Sequence, residues 1–285
     1  MKKLIIVLLS ILLITGCELG SSKKEVKVNA TYYPFEYAVS YLYKDMSSIN
    51  SIYPSEANTE EYTLTKKQKE KYSQADIFIY SGLTKEVDYA VDFLNNNSNL
   101  NIIDATRGLA YSKDISELWL NPSNYLMIAR NIKNTLKDYE KNIYNVEKVE
   151  KLYEELKIKI SELDVEYTMM AKNASNNNLL IADDTLLFLS KYNVNVHTLN
   201  TKNESYAKTI NDTRTLISQG KIKYVFKIQD KALDEDTKAF IEENKLEIIE
   251  IDPMYTLSEE ERKNNDDFFS IMRKNIDKIK TELFR

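Results

Sequence analysis

"NIYNVEKVEKLYEELKIKISELDVEYTMMAK", residues 142–172, decides how the chain is organised. Val149, Leu152, Leu156, Ile160, Leu163, Tyr167 and Met170 step by three and four, with Glu and Lys between them. That spacing lines one helix face with apolar side chains. No glycine or proline interrupts it. The pattern predicts one helix of roughly 30 residues, about 45 Å long at 1.5 Å per residue. A helix of that length separates two regions of a different character.

On both sides, short apolar runs alternate with helical ones. Before the helix stand "VKVNATYYPF" (26–35), "SINSIYP" (48–54), "ADIFIYSG" (75–82) and "LNIIDAT" (100–106). After it stand "LLIAD" (179–183), "VNVHTL" (194–199), "IKYVFKI" (222–228) and "LEIIEIDP" (246–253). The intervening stretches, including "DTLLFLSKY" and "TINDTRTLISQG" ended by Gly220, read as helices. "DDFFSIMRKNIDKIKTEL" closes the chain as an amphipathic helix. Strand–helix alternation predicts parallel sheets with right-handed crossovers. The expected architecture is α/β: two lobes with mostly parallel sheets, joined by one long rigid helix, with a ligand cleft between the lobes. The lobes are read at 26–141 and 173–285. No internal sequence repeat is evident. In such sheets ligands bind at the carboxyl ends of the strands.

The amino terminus reads as a targeting segment. "MKKLIIVLLSILLITGC" has two lysines, then an apolar run too short for a membrane span of about 20 residues. Residues 1–16 are the expected signal peptide. "ITGC" resembles the lipobox of bacterial lipoproteins, which implies a diacylglyceryl group on Cys17 and a tether over 17–25. Cys17 is the only cysteine, so no internal disulfide forms. The expected location is the outer face of a bacterial cytoplasmic membrane, with the bilayer reached through Cys17.

Composition excludes several functions. Net charge is −5, which disfavours nucleic acid. With 5 glycines and no glycine-rich phosphate motif, a nucleotide loop is not expected. The single histidine, His197, lies in no nucleophile motif, and no enzymatic role is expected. Carboxylates acting as a hydrolase acid–base pair have no support beyond acidic residues in loops. Tyr32, Tyr33 and Tyr62 lie near the predicted cleft, where ordinary packing accounts for them.

The loops at the strand ends are acidic. Glu60 and Glu61 come after the second strand. Glu117, two residues before the sole tryptophan Trp119, comes after the fourth. Asp183 ends "LLIAD" and Asp252 ends "LEIIEID". Clustered carboxylates repel one another unless a cation joins them, and oxygen ligands suit hard divalent ions.

Several segments, in order, resemble the solute-binding lipoproteins of ABC transporters for zinc and manganese. They are "VNATYYPF", "IYPSEANTEEYTLTKKQKEKYSQADIFIYSG", "ELWLNPSNYLMIARNI", "IADDTLLFLSKY", "IIEIDP" and the final helix. The resemblance implies a binding protein that captures a divalent cation and delivers it to a membrane permease, as a monomer. It carries the family's metal ligands onto Glu60, Glu117, Asp183 and Asp252. Only Asp252 keeps the family's residue type; the first two replace histidines, and the histidine-rich loop of zinc members is absent. Carboxylates in place of imidazoles shift preference toward harder ions such as manganese. His197 is a replacement ligand only from outside the matching segments. The alternative expectation is a non-metal or adhesin-like lipoprotein on the same scaffold.

Overall fold

The computed structural model describes residues 25–202 and 206–285. The expected signal peptide at 1–16, Cys17 and all but the last residue of the expected tether lie outside the described residues. Among the described residues no helix is long and apolar enough to cross a membrane.

The amino-terminal lobe runs β1 (Val26–Ala30), α1 (Tyr33–Tyr43), β2 (Ser47–Ser51), α2 (Lys66–Tyr72), β3 (Ile77–Tyr80), α3 (Glu86–Asn96) and β4 (Asn101–Asp104). Its sheet has the order β2-β1-β3-β4, with every pair parallel. Ile77, Phe78 and Ile79 are fully buried, as a strand covered on both faces requires. The carboxyl-terminal lobe runs β5 (Asn178–Ile181), a 3₁₀ helix (Asp184–Tyr192), β6 (Asn195–Thr198), α7 (Tyr206–Ser218), β7 (Tyr224–Ile228), α8 (Glu235–Glu243) and β8 (Glu247–Ile251). Its order, β6-β5-β7-β8, repeats that of the first sheet strand for strand, again all parallel. The two lobes share one topology without a visible sequence repeat.

Between them lie α4 (Glu117–Leu120), α5 (Pro122–Tyr139) and the long α6 (Ile143–Asn173). Local chemistry sets these boundaries. Asn121 accepts a hydrogen bond from the Ser123 N–H, and Pro122 occupies the first turn, where its missing N–H costs nothing. Asn142 caps α6 through the Tyr144 N–H. All seven periodic side chains from Val149 to Met170 are buried on one face. One expected α-helix differs: "DTLLFLSKY" winds as 3₁₀. It opens on the Asp183 cap and ends at Asn193 in the left-handed region (φ 65°). Gly220 closes α7 at φ +70°, where a side chain would be strained.

After β8 come α9 (Glu259–Lys263) and α10 (Phe268–Leu283). Phe268 stacks on Tyr125 of α5 at 3.9 Å between ring centres and on Tyr37 of α1 at 5.8 Å. The last helix therefore reaches back to the first lobe. The segment between β8 and α9 does the same through hydrogen bonds. Tyr33 N–H donates to the Tyr255 carbonyl (3.0 Å), Ser55 Oγ to the Leu257 carbonyl (2.7 Å), and Glu56 N–H to Thr256 Oγ1 (2.9 Å). One apolar core runs through both lobes, from Val28 through Trp119 and Ile160 to Ile251 and Met272.

Candidate metal centre

Both sheets present the carboxyl ends of their strands to the same region, and a cavity of about 600 Å³ lies there. Glu60, Asp114, Lys231, Asp252, Tyr255 and Glu261 line it. A smaller cavity of about 230 Å³ adjoins it, sharing Glu60, Asp114 and Tyr255 and adding Tyr32, Glu86 and Tyr111.

The four carboxylates expected as ligands have different local duties. Glu60 is exposed. Its backbone is fixed, with the N–H on Asn58 Oδ1 (3.1 Å) and the carbonyl accepting from Lys85 Nζ (2.8 Å). The residue lines both cavities. Glu117 opens α4 and turns back onto the loop before it. Its carboxylate accepts from the N–H groups of Ser112 (3.0 Å), Lys113 (2.6 Å) and Asp114 (3.0 Å), and from Ser112 Oγ. Three such charge-assisted bonds make it the organiser of the turn that holds Asp114. Asp183 caps the 3₁₀ helix, with Oδ1 accepting from the Thr185 N–H (2.9 Å) and hydroxyl (2.5 Å).

Asp252 comes directly after β8, bracketed by Asn275, which accepts from its N–H (3.0 Å) and donates to its carbonyl (2.9 Å). Its Oδ1 accepts from the Met254 N–H (2.7 Å), holding Met254 at φ 53°. Burial, and then the hydrogen bond with Glu261, push the Asp252 carboxyl up to about 7. Burial alone would raise Glu261 too, but its bonds to Asp252 and Ser258 outweigh that and leave it lowered. Of the two carboxyls, Asp252 is the one that holds a proton more tightly. Of the four expected ligands, Glu60 and Asp252 line the larger cavity, whereas Glu117 and Asp183 line neither. Among the described residues no three His, Cys, Asp or Glu side chains are gathered closely enough to hold one ion. In this conformation the four carboxylates do not converge on a point.

Two residues at the centre escape the sequence reading. Asp114 is 2% exposed and carries four donors. Oδ1 accepts from the Ser116 N–H (2.8 Å) and hydroxyl (2.5 Å); Oδ2 accepts from Lys231 Nζ and from the Tyr255 hydroxyl, each at 2.6 Å. Burial works against its charge, yet the Lys231 ammonium and these hydrogen bonds win, and its pKa is lowered. Lys231 shows the mirror image. Burial disfavours its charge, but Asp114 first, then Asp183 and Glu60, raise its pKa. A signal for it exists in the sequence: Lys231 comes shortly after β7, a cation at a strand end where acids alone are expected to matter.

Glu86, at the start of α3, is a further buried acid that no motif marks. It is fully buried; Oε1 accepts from the hydroxyls of Tyr32 (3.1 Å) and Tyr53, and Oε2 has no partner among the described residues. Tyr32 and Tyr33 are buried core residues, in keeping with a packing role. His197 sits on β6 against Asn178 Oδ1 (3.3 Å), lines neither cavity, and is lowered by burial.

The family model for the zinc-uptake complex component A, periplasmic (ZnuA), matches residues 28–282. The chain belongs to the ZnuA family. This agrees with the two-lobed, all-parallel α/β architecture. Among relatives, the chain is 26% identical over a 315-residue alignment to the manganese ABC transporter substrate-binding lipoprotein PsaA of Streptococcus anginosus, covering 98% of both chains. It is 22% identical over 321 aligned residues to the zinc-binding protein AdcA of Streptococcus pyogenes serotype M6, covering 98% of this chain and 61% of that longer one. The fold matches the metal-dependent lipoprotein YcdH of Bacillus subtilis with a TM-score of 0.71 at 19% identity, over 92% of this chain and 100% of that one. It matches the Zn(II)-bound ZnuA-like domain of Streptococcus pneumoniae AdcA with a TM-score of 0.70 at 18% identity, again over 92% and 100%. The resemblance places histidines where this chain has Glu60 and Glu117, and in this structure Lys231 stands among the carboxylates that line the larger cavity.

Proposed function

We propose that this chain is the solute-binding component of an ABC uptake system for a divalent cation, manganese or zinc. It takes the ion in the cleft between its lobes and hands it to a membrane permease, without chemical conversion. It is a monomer held to the outer face of the cytoplasmic membrane by lipid on Cys17. The observation that carries the reading is the acidic cavity at the meeting point of the strand ends of both sheets.

Glu60, Glu117, Asp183 and Asp252 are the proposed ligands, reached at different costs. Glu60 is exposed and is held through its backbone N–H and carbonyl. Asp183 gives up a helix cap, worth about 1 kcal/mol. Asp252 gives up the Met254 N–H. Glu117 must leave three backbone N–H groups, so it joins last. Oxygen donors throughout favour manganese over zinc. The test is calorimetric titration of the chelator-stripped protein with Mn²⁺ and Zn²⁺, beside a Glu60→Ala, Asp252→Ala variant. One-to-one binding that the variant loses supports the reading. Binding that survives both substitutions places the ion elsewhere.

A further inference from the structure

Lys231 is a cation where the proposed cargo is also a cation. It comes after Asp230, whose backbone is in the left-handed region (φ 59°), and its side chain is 26% exposed. Its ammonium lies 2.6 Å from Asp114 Oδ2, a carboxylate whose side chain is 1% exposed. Of the four groups that donate to Asp114, only Lys231 is charged. The contact crosses the cleft: Asp114 lies beyond β4 of one lobe, and Lys231 beyond β7 of the other. Tyr255, from beyond β8, grips the same oxygen at 2.6 Å. Glu60, after β2, and Asp183, after β5, add to the negative field around the ammonium.

We propose that Lys231 is a tethered competitor for the cation site, one that closes and neutralises the cleft when it is empty and must be displaced by the cargo. This rests on the reading of the cleft as a divalent-cation site. Physical reasons support it. Uncompensated carboxylates repel one another, and the buried Asp114 carboxylate is costly without a cation beside it. The tether gives the ammonium a high effective concentration beside Asp114, so weakly bound monovalent ions do not dislodge it. A divalent ion brings twice the charge and several oxygen contacts at once. Its arrival swings Lys231 outward, and the return of Lys231 to Asp114 helps expel the ion during delivery. Lys231 is thus a residue that sets affinity without being a ligand.

The test is calorimetric titration with Mn²⁺ of the stripped wild type, Lys231→Met and Lys274→Met. Lys274 lines the same cavity but is paired with Asp266, so it controls for general loss of positive charge. Displacement predicts that Lys231→Met binds Mn²⁺ at least tenfold tighter, while Lys274→Met stays within about threefold of wild type. It also predicts a lower melting temperature for metal-free Lys231→Met, with the gap closing once Mn²⁺ is added. Equal tightening in both variants, or none in Lys231→Met when the wild type binds, overturns the competitor role and leaves the cation site standing. Absence of binding in all three proteins removes both.

Discussion

Trp119 Nε1 donates to the Pro253 carbonyl at 2.6 Å, joining residues 134 positions apart and stitching the first lobe to the loop that carries Asp252. The indole is fully buried, with Tyr32 at 5.1 Å, Phe35 at 5.8 Å and Tyr255 at 6.2 Å between ring centres. The sole tryptophan is therefore both an interlobe clamp and a reporter.

Trp119→Phe keeps most of the packing and deletes the donor, leaving a buried carbonyl unpaired. The expected loss is about 1–3 kcal/mol of unfolding free energy, read by urea denaturation. Wild-type emission is expected to be blue-shifted and resistant to acrylamide, before and after addition of cation. A red shift on cation binding contradicts an indole that stays packed when the ion arrives.

Glu117 and Glu60 should separate when each is replaced by alanine. Glu117→Ala frees three backbone N–H groups of the 112–114 turn and is expected to destabilise the metal-free protein by about 1–3 kcal/mol. Glu60→Ala touches no such bond and should stay within about 0.5 kcal/mol. Thermal melting of the stripped variants checks this. Equal losses contradict the turn-holding role of Glu117.

Glu86 gives the folded protein a pH dependence. Burial raises its pKa, against the lowering effect of the Tyr53 and Tyr32 hydroxyls. A carboxyl raised on folding binds more protons in the native state, so its contribution is full below the ordinary carboxylate pKa and fades as pH rises through the raised one. Glu86→Gln, an uncharged mimic of the protonated form, should match wild type at pH 4.5 and exceed it in denaturation midpoint at pH 8. A constant difference across that range rules the titration out.

Asp114 has the opposite sign. Its lowered pKa makes its contribution present above the ordinary carboxylate range and lost as pH falls through the native value. Asp114→Asn leaves the Lys231 ammonium, 26% exposed, without its carboxylate and is expected to cost about 1–3 kcal/mol at pH 7, with the deficit shrinking in acid. Melting curves from pH 7 to pH 3 measure it.

The fold is largely readable from sequence because its signals are periodic. The apolar steps from Val149 to Met170 and the short runs around Ile77 and Leu180 depend on local spacing alone. The winding of Asp184–Tyr192 is not readable, because 3₁₀ and α turns bury the same side chains here. At the site, sequence names the carboxylates at strand ends but cannot assign their partners. Glu117 reads as a ligand by position, yet three backbone N–H groups claim it, and those bonds exist only once the 112–114 turn is built. Asp114 and Lys231 lie 117 residues apart, and nothing local in either stretch announces the other.

The most direct measurement is an anomalous difference map from crystals of the mature protein grown with Mn²⁺. The account predicts one manganese peak in the interlobe cleft, within ligand distance of Glu60, Glu117, Asp183 and Asp252, with the Lys231 ammonium moved off Asp114. A cleft without a peak at saturating Mn²⁺, with Lys231 still on Asp114, contradicts it.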